Sequence, residues 1–208
     1  ATQRAIEQGL ADARAAGLVL IQAMLEPSDA AGKTVFAQAG LVQLATLTYM
    51  ERKPPVNPPD FLLPPEMVLE PYGARTHSLF RQAITESYRE TLDCPALSGM
   101  RDVDDVIAGH KAVGPFDPQL WSVVLERPGG AAGATEQRVA GCLLLSEIPA
   151  RRGLELVYLG LAPFARGRGL GRTLMQRVLA IASRRHFEVA TLAVDAANTP
   201  AVKLYRRC

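Results

Sequence analysis

The sequence has few cysteines, little net charge and no long apolar run, and each of these absences narrows what the protein can be. Its three cysteines, Cys94, Cys142 and Cys208, have neither metal-site spacing nor an even disulfide pattern, so we expect a reducing interior. No apolar stretch approaches the length of about twenty residues that a membrane helix needs, and the N-terminus lacks the charged-then-apolar layout of a secretion signal. We therefore expect a cytoplasmic protein with no membrane partner.

The net charge is small, but the basic residues are unevenly distributed along the chain. The net charge of +2 is too small to predict a nucleic-acid partner. Between Arg151 and Arg185, however, there are eight arginines and a single acid, Glu155. This local field would attract an anionic ligand. No histidine or cysteine cluster predicts a metal site, and His77 and His110 are expected to be surface residues.

A proline-rich segment divides the chain. Residues 53–65 contain six prolines, a density that favours a stiff, extended linker. The linker separates residues 1–52 from residues 66–208. With 208 residues and 48% hydrophobic side chains, the chain is long enough to bury one core or slightly more.

Hydrophobic spacing predicts alternating strands and helices after the linker. Apolar residues at three- and four-residue steps indicate helices, and short runs of aliphatic residues indicate strands. A tract of Pro, Gly and Ala at 128–134 is typical of a hairpin loop between two strands. The predicted strands are residues 67–70, 120–127, 138–147, 154–161 and 187–194, and the predicted helices are 77–92, 103–113, 171–185 and one starting at Thr199.

The most informative motif is the glycine-rich turn at residues 166–171, Arg-Gly-Arg-Gly-Leu-Gly, between a predicted strand and a predicted helix. Glycine at alternate positions lets backbone N–H groups turn toward a ligand, and the N-terminus of the following helix carries partial positive charge. Arginines around the turn add fork-shaped donors that suit a diphosphate. The turn therefore predicts an anion site.

Two common phosphate-binding motifs do not fit this turn. Arg172 replaces the lysine of a P-loop, and it also occupies the third glycine position of a dinucleotide fingerprint that begins at Gly167. What remains is Arg166-x-x-Gly169-x-Gly171 directly after residues 159–163. This arrangement resembles motif A of the GNAT superfamily, whose members transfer an acyl group from acyl-coenzyme A.

The resemblance extends over roughly residues 66–208, because residues 187–194 are followed by Asn198 and Tyr205 at the separation that the family shows. It implies an α+β fold, layered as in α/β proteins, with a mixed, mostly antiparallel central sheet flanked by helices. It also implies acetyl-CoA as the cosubstrate, with a small-molecule or protein amine as the acceptor. The residues implied to bind the cosubstrate are Leu159, Gly160, Leu161, Arg166, Gly167, Arg168, Gly169, Leu170, Gly171, Arg172 and Asn198.

Two residues are candidates for proton transfer. Glu155 lies on the predicted strand with the same parity as Leu159 and Leu161, and a carboxylate on an apolar strand should have a raised pKa suited to a general base. Alternatively, Glu155 forms an ion pair with Arg151 or Arg152. Tyr205, at the position of the family's tyrosine, is the candidate acid toward the leaving thiolate, or only a packing residue. Asn198 contacts the cosubstrate, caps the helix from Thr199, or does both.

Residues 1–52 resemble the back half of a second such unit. Laid over residues 187–205 without a gap, residues 18–36 place Glu26 on Asp195, Asp29 on Asn198 and Phe36 on Tyr205. This predicts a tandem arrangement with a partial, degenerate N-terminal unit that does not catalyse, and strands at residues 18–25 and 41–50. The alternative is that any helix-strand-helix segment would align this well.

The sequence leaves open how the sheet edge is completed, whether the protein catalyses, and which acceptor it uses. Either residues beyond this sequence complete the sheet next to residues 187–194, or the two N-terminal strands cover that edge. The competing function is a catalytically silent acyl-CoA-binding or sensing module. Four acids before or within the helix at 103–113 would favour a cationic acceptor, although a polyhydroxylated amine or a homodimer is also compatible with the family resemblance. They are Asp93, Asp102, Asp104 and Asp105.

Overall fold

A six-stranded sheet forms the centre of the computed structural model, which describes residues 2–58, 60–129 and 136–208. The strands are β1 Leu47–Arg52, β2 Met67–Pro71, β3 Trp121–Glu126, β4 Arg138–Ile148, β5 Gly153–Leu161 and β6 Val189–Asp195. The strand order is β1-β6-β5-β4-β3-β2; β5 and β6 are parallel, and all other neighbours are antiparallel. The predicted class, a mixed and mostly antiparallel sheet flanked by helices, is confirmed.

Six α-helices accompany the sheet in the described residues. Four short 3-10 turns, each beginning with a proline, connect further elements at residues 95–97, 118–120, 149–151 and 163–165. None of the described helices is both long enough and apolar enough to cross a bilayer. The helices are α1 Thr2–Ala15, α2 Ala30–Gln38, α3 His77–Tyr88, α4 Val103–Lys111, α5 Leu170–Arg184 and α6 Thr199–Arg206.

The core lies on both faces of β3, β4 and β5. Every residue of β3 is buried, as expected for a strand covered on both faces. On β5, Tyr158 is hydrogen-bonded to Ser87 of α3, whereas the Leu161 side chain lies beside the start of α5 at Gly171. Because alternate side chains of a strand point to opposite faces, α3 and α5 cover opposite faces of the sheet.

Most element boundaries agree with the sequence prediction to within a few residues, and the largest difference among the helices after the linker has a clear physical cause. Helix α3 ends at Tyr88 and not at residue 92, because Arg89 is extended and Glu90 has a left-handed backbone with φ of 55°. Strand β6 begins at Val189, two residues after its predicted start. Strands β3 and β4 pair as the predicted hairpin requires, but residues 130–134 of its loop lie outside the described residues.

The predicted strand at residues 18–25 is wrong. Residues 20–26 have neither helix nor strand structure, and Val19 and Met24 are 79% and 71% exposed. A strand needs a neighbour for its backbone hydrogen bonds, and among the described residues no strand pairs with this segment. The second predicted N-terminal strand, residues 41–50, does form, but over Leu47–Arg52.

Strand β1 covers the sheet edge beside β6. All six residues of β1 pair antiparallel with β6, from Leu47 opposite Asp195 to Arg52 opposite Ala190. The sequence left open how the sheet edge beside residues 187–194 is covered. One of the two predicted N-terminal strands, β1, covers it. The strand lies within residues 1–52, yet it belongs to the same sheet as residues 66–208.

Candidate active site

Strands β5 and β6 separate halfway along β5. They pair only from Gly153 with Val189 to Leu156 with Leu192. Beyond that point β6 continues along β1, and residues 158–161 of β5 stay paired with β4 but have no strand of the described residues on their other side. An unpaired strand edge offers a row of backbone donors and acceptors to an extended ligand.

A β-bulge marks the point of separation. Leu145 pairs with Leu156 and Leu144 pairs with Tyr158, so Val157 is an extra residue in β5. The bulge changes the alternation of side chains, and it therefore places Glu155 on the face of Tyr158 and Gly160. The prediction that Glu155 shares a face with Leu159 and Leu161 is therefore wrong. It assumed strict alternation along the strand, and the sequence pattern does not reveal a bulge.

The glycine turn follows β5 after the short 3-10 turn at residues 163–165. Gly167 and Gly169 have left-handed backbones with φ of 72° and 81°, and a Cβ at either position would meet no atom within 4 Å. The space above the turn is therefore open. Gly169 caps the N-terminus of α5 without a side-chain hydrogen bond, so the first-turn N–H groups of α5 have no side-chain partner. Gly171 instead allows α5 and α6 to pack closely, because a Cβ there would lie 3.1 Å from the Leu204 side chain of α6.

Arg166 is held by the protein itself. Its guanidinium donates four hydrogen bonds to backbone carbonyls: from Nε to Leu161, from Nη1 to Glu90, and from Nη2 to Ser87 and Arg89, at 2.8 to 3.1 Å. The side chain thus joins the end of β5 to the end of α3. Three of these acceptors are carbonyls at the C-terminus of α3, where a cation is favoured.

The other two arginines of the turn differ from each other. Arg168 donates to Glu126 at 2.9 Å and to Glu66 at 3.3 Å. Arg172 is exposed and has no hydrogen-bond or ion-pair partner among the described residues. Of the three guanidinium groups expected to face a diphosphate, that of Arg172 is the one without a hydrogen bond or ion pair to the described residues.

Glu155 is half-buried and has no ionic partner in the described residues. Arg151 pairs with Glu51 at 2.7 Å and Arg152 pairs with Glu188 at 3.3 Å, so neither forms the ion pair that was the alternative role for Glu155. Burial raises the pKa of the Glu155 carboxyl above its ordinary value. A carboxylate with a raised pKa and no partner is available to accept a proton.

An aromatic group lies on the same face as Glu155, and the sequence analysis missed it. The Tyr158 hydroxyl is 2.7 Å from the hydroxyl of Ser87, and the ring of His110 stacks on Tyr158 with 5.2 Å between centroids. His110 is not a surface residue: its Nε2 is buried, and burial together with Arg101 lowers its pKa to about 4. Its spacing from Val106 and Ile107, which places it on the apolar face of α4, was the signal that could have revealed this.

Tyr205 lies on the other face of the sheet. It lines a small cavity with Leu156 and Leu192, the last residues that pair between β5 and β6, and with Met175 of α5. Burial, and next Asp93, raise the pKa of its phenol. Glu155 and Tyr205 thus flank the point of strand separation from opposite faces.

Asn198 caps α6, since its Oδ1 accepts a hydrogen bond from the Ala201 N–H at 3.3 Å.

Three of the four acidic residues expected to favour a cationic acceptor have hydrogen-bond or ionic partners within the protein. Asp93 accepts from the N–H of Asp195, Asp102 caps α4, and Asp104 pairs with His77 and Arg81.

Comparison with known proteins gives a family and a fold. Residues 81–208 match the acetyltransferase (GNAT) family. A search of curated proteins found no match. Among solved structures, a GCN5-related N-acetyltransferase from Sphaerobacter thermophilus is 21% identical, with a TM-score of 0.61 over 88% of this chain and 53% of that one. This chain therefore spans about half the length of that protein.

Two further structures are similar. A glucosamine N-acetyltransferase region of a fungal multi-domain β-N-acetylglucosaminidase is 13% identical, with a TM-score of 0.55 over 88% of this chain and 21% of that one. The Salmonella typhimurium protein yncA, solved with its cofactor acetyl-CoA, is 18% identical, with a TM-score of 0.48 over 68% and 77%. At 13% identity the first of these two likenesses shows the fold alone.

Proposed function

This chain belongs to the acetyltransferase (GNAT) family, and from that premise we propose that it transfers the acetyl group of acetyl-CoA to a primary amine by direct attack in a ternary complex. The observation that carries the proposal is the separation of β5 from β6 next to the open glycine turn. A free strand edge and an anion-binding turn occur side by side, as a ligand with an amide-containing arm and a diphosphate requires.

The proposed cosubstrate site follows from these two features. The arm of acetyl-CoA would pair with the free edge of Leu159, Gly160 and Leu161. The diphosphate would accept from the backbone N–H groups at residues 167–171, with Arg172 supplying the available positive charge and Asn198 lying at the start of the adjacent helix α6. Arg166 and Arg168 would act by holding the turn, since their donors are used within the protein.

The proposed chemistry assigns one proton to each candidate residue. Glu155 accepts a proton from the acceptor amine, directly or through a water, and the neutral nitrogen attacks the thioester carbon. The C–N bond forms as the tetrahedral intermediate arises, and the C–S bond breaks as the intermediate collapses. Tyr205 donates its proton to the departing thiolate, and the second proton that the nitrogen loses on becoming an amide restores the phenol. Holding amine and thioester together would supply much of the rate, up to about 7–11 kcal/mol of the barrier.

A catalytically silent acyl-CoA-binding module would need the cosubstrate site but not the proton-transfer residues. Isothermal titration calorimetry with acetyl-CoA, followed by mass spectrometry of an amine mixture incubated with protein and acetyl-CoA, separates the two functions. We expect saturable heat and at least one acetylated product that requires both components. Heat without any product would support the silent module, and an absence of heat would overturn the cosubstrate site itself.

We further propose that residues 1–52 are the degenerate back half of a second unit, residues 53–65 a linker and residues 66–208 the catalytic domain, whose sheet is completed by β1 of the first segment. Asp29 and Asn198, which coincide in the internal alignment, both cap the helix that follows them. Because β1 is paired along its whole length, limited proteolysis should cut within residues 16–29 and leave a resistant fragment that retains β1. Release of β1 during digestion would contradict this organisation.

A further inference from the structure

A buried carboxylate lies beneath the glycine turn. Glu126, at the end of β3, has a side chain with 0% exposure, and its Oε1 accepts from Nη1 of Arg168 at 2.9 Å. Nη2 of the same guanidinium is 3.3 Å from Glu66, which is 24% exposed. Arg168 therefore bridges two acids that precede it by 42 and 102 residues.

This ion pair cannot be exchanged easily for a contact with a ligand. A fully buried carboxylate without a cation is strongly unfavourable, and Oε2 of Glu126 already lacks a hydrogen-bond partner in the described residues. If Arg168 turned toward a bound diphosphate, Glu126 would lose its main compensating charge. The guanidinium is therefore expected to stay beneath the turn when the site is filled.

The turn depends on this contact for its position. Arg168 stands between Gly167 and Gly169, which have no side chains to pack and left-handed backbones that few other residues adopt. Arg166 fixes the preceding end of the turn to Leu161 and α3. Among the described residues, the turn's own side-chain bonds are those that Arg168 makes with Glu126 and Glu66, and a longer one of 3.5 Å from the Thr173 hydroxyl to the Gly169 carbonyl.

We propose that Glu126 is a positioning residue for cosubstrate binding, acting through Arg168 to hold the backbone N–H groups of the glycine turn toward the diphosphate. The inference rests on the proposed function and adds a residue that lies outside the family motif. Since Glu66, Glu126 and Arg168 together carry one net negative charge, their contribution is geometric and not attractive. The attractive charge at the turn is that of Arg172.

The test compares two glutamate-to-glutamine variants of the full chain by calorimetry with acetyl-CoA. Glu126→Gln keeps the side-chain shape but weakens the charge-assisted bond to Arg168. The matched control is Glu147→Gln, because Glu147 also lies in a central strand and pairs with an arginine, Arg185 at 3.1 Å, away from the turn. We expect Glu126→Gln to raise the Kd about tenfold or more, and Glu147→Gln to leave it within about twofold.

Two further readouts separate positioning from a merely structural effect. The loss of affinity in Glu126→Gln should persist at high salt, whereas the loss in Arg172→Gln should shrink as salt screens its charge. Hydrogen exchange of the amides at residues 167–171 should be faster in Glu126→Gln than in Glu147→Gln. An unchanged Kd and unchanged exchange in folded Glu126→Gln would overturn the inference.

If Glu126→Gln does not fold, Glu126→Asp decides, since aspartate keeps the negative charge opposite Arg168 but shortens the side chain by one methylene and so loosens the hold on the turn. A several-fold weaker affinity for acetyl-CoA supports the inference, and wild-type affinity overturns it. The proposed function fails separately: wild-type protein that gives no heat with acetyl-CoA would overturn both, while wild-type binding with unaffected variants would overturn the role of Glu126 alone.

Discussion

The hydroxyl groups of Ser87 and Tyr158 lie 2.7 Å apart and join α3 to β5 across 71 residues of sequence. This contact depends on Gly160, the next residue on the same face of β5. A Cβ at Gly160 would lie 2.7 Å from Cβ and 2.6 Å from Oγ of Ser87. Helix α3 can therefore approach the strand only because no side chain stands there.

We expect Gly160→Ala to destabilise the protein by about 1–3 kcal/mol, since α3 must move away from β5 to accommodate the methyl group. Chemical denaturation measures the change. Gly73→Ala is the matched control, because the nearest atom to its added Cβ is 4.0 Å away. Equal stability of the two variants would show that the close approach of α3 is not required.

Glu155→Gln should abolish most acetyl transfer while making the protein more stable at neutral pH. Burial favours the protonated carboxyl in the folded state, so ionised Glu155 opposes folding above its raised pKa, whereas glutamine carries no charge. The gain in stability should therefore vanish below the ordinary pKa of glutamate, where both side chains are neutral. Thermal unfolding of both proteins between pH 4 and pH 8 tests the sign, and a variant that is less stable at pH 8 would contradict it.

The pH dependence of activity gives an independent check on Glu155. If the carboxylate is the base, transfer should fall as the pH decreases through its pKa, and the midpoint should lie above the ordinary pKa of glutamate because burial raises it. The measurement is kcat against pH with an acceptor identified by mass spectrometry. A midpoint below that ordinary value would argue against Glu155.

His110 should make the folded state sensitive to acid. Its pKa falls from 6.5 to about 4 on folding, so the unfolded chain binds the extra proton and stability decreases as the pH drops from about 6.5 to about 4. The difference corresponds to about 3 kcal/mol at most. His110→Phe keeps a ring to stack on Tyr158 and should remove this part of the acid sensitivity in denaturation curves. An identical pH profile in the variant would show that other groups cause it.

Tyr205→Phe should slow transfer without weakening acetyl-CoA binding. The phenol oxygen makes no hydrogen bond in the described residues, so its removal leaves no partner unsatisfied and stability should change little. Its raised pKa keeps it protonated and makes it a weaker acid than free phenol. A variant with wild-type kcat would assign Tyr205 to packing alone, and calorimetry with acetyl-CoA supplies the binding comparison.

Gly169→Ala and Gly129→Ala form a matched pair for the turn. Both glycines have left-handed backbones, with φ of 81° and 78°, and an added Cβ at either position meets no atom within 4 Å. Each substitution should cost on the order of 1 kcal/mol of stability through backbone strain. Only Gly169→Ala should also raise the Kd for acetyl-CoA, and an equal effect of both variants on binding would exclude the turn as the diphosphate site.

The sequence by itself determined which elements form after the linker and where the anion-binding turn lies. Helix α5 and strand β5 follow from apolar spacing, and the three alternate glycines between them specify the turn. These features are local, because spacing and backbone freedom are properties of neighbouring residues. Glu155 could be singled out in the same way, as a carboxylate on a largely apolar strand.

Only the tertiary structure decided which groups meet. The bulge at Val157, the carbonyl partners of Arg166 and the burial of His110 depend on segments distant in sequence. Residues 18–25 have the composition of a strand but no neighbour to pair with, while Leu47–Arg52 becomes β1 because β6 offers a free edge. A backbone hydrogen bond or an ion pair needs two partners, and a local pattern specifies only one of them.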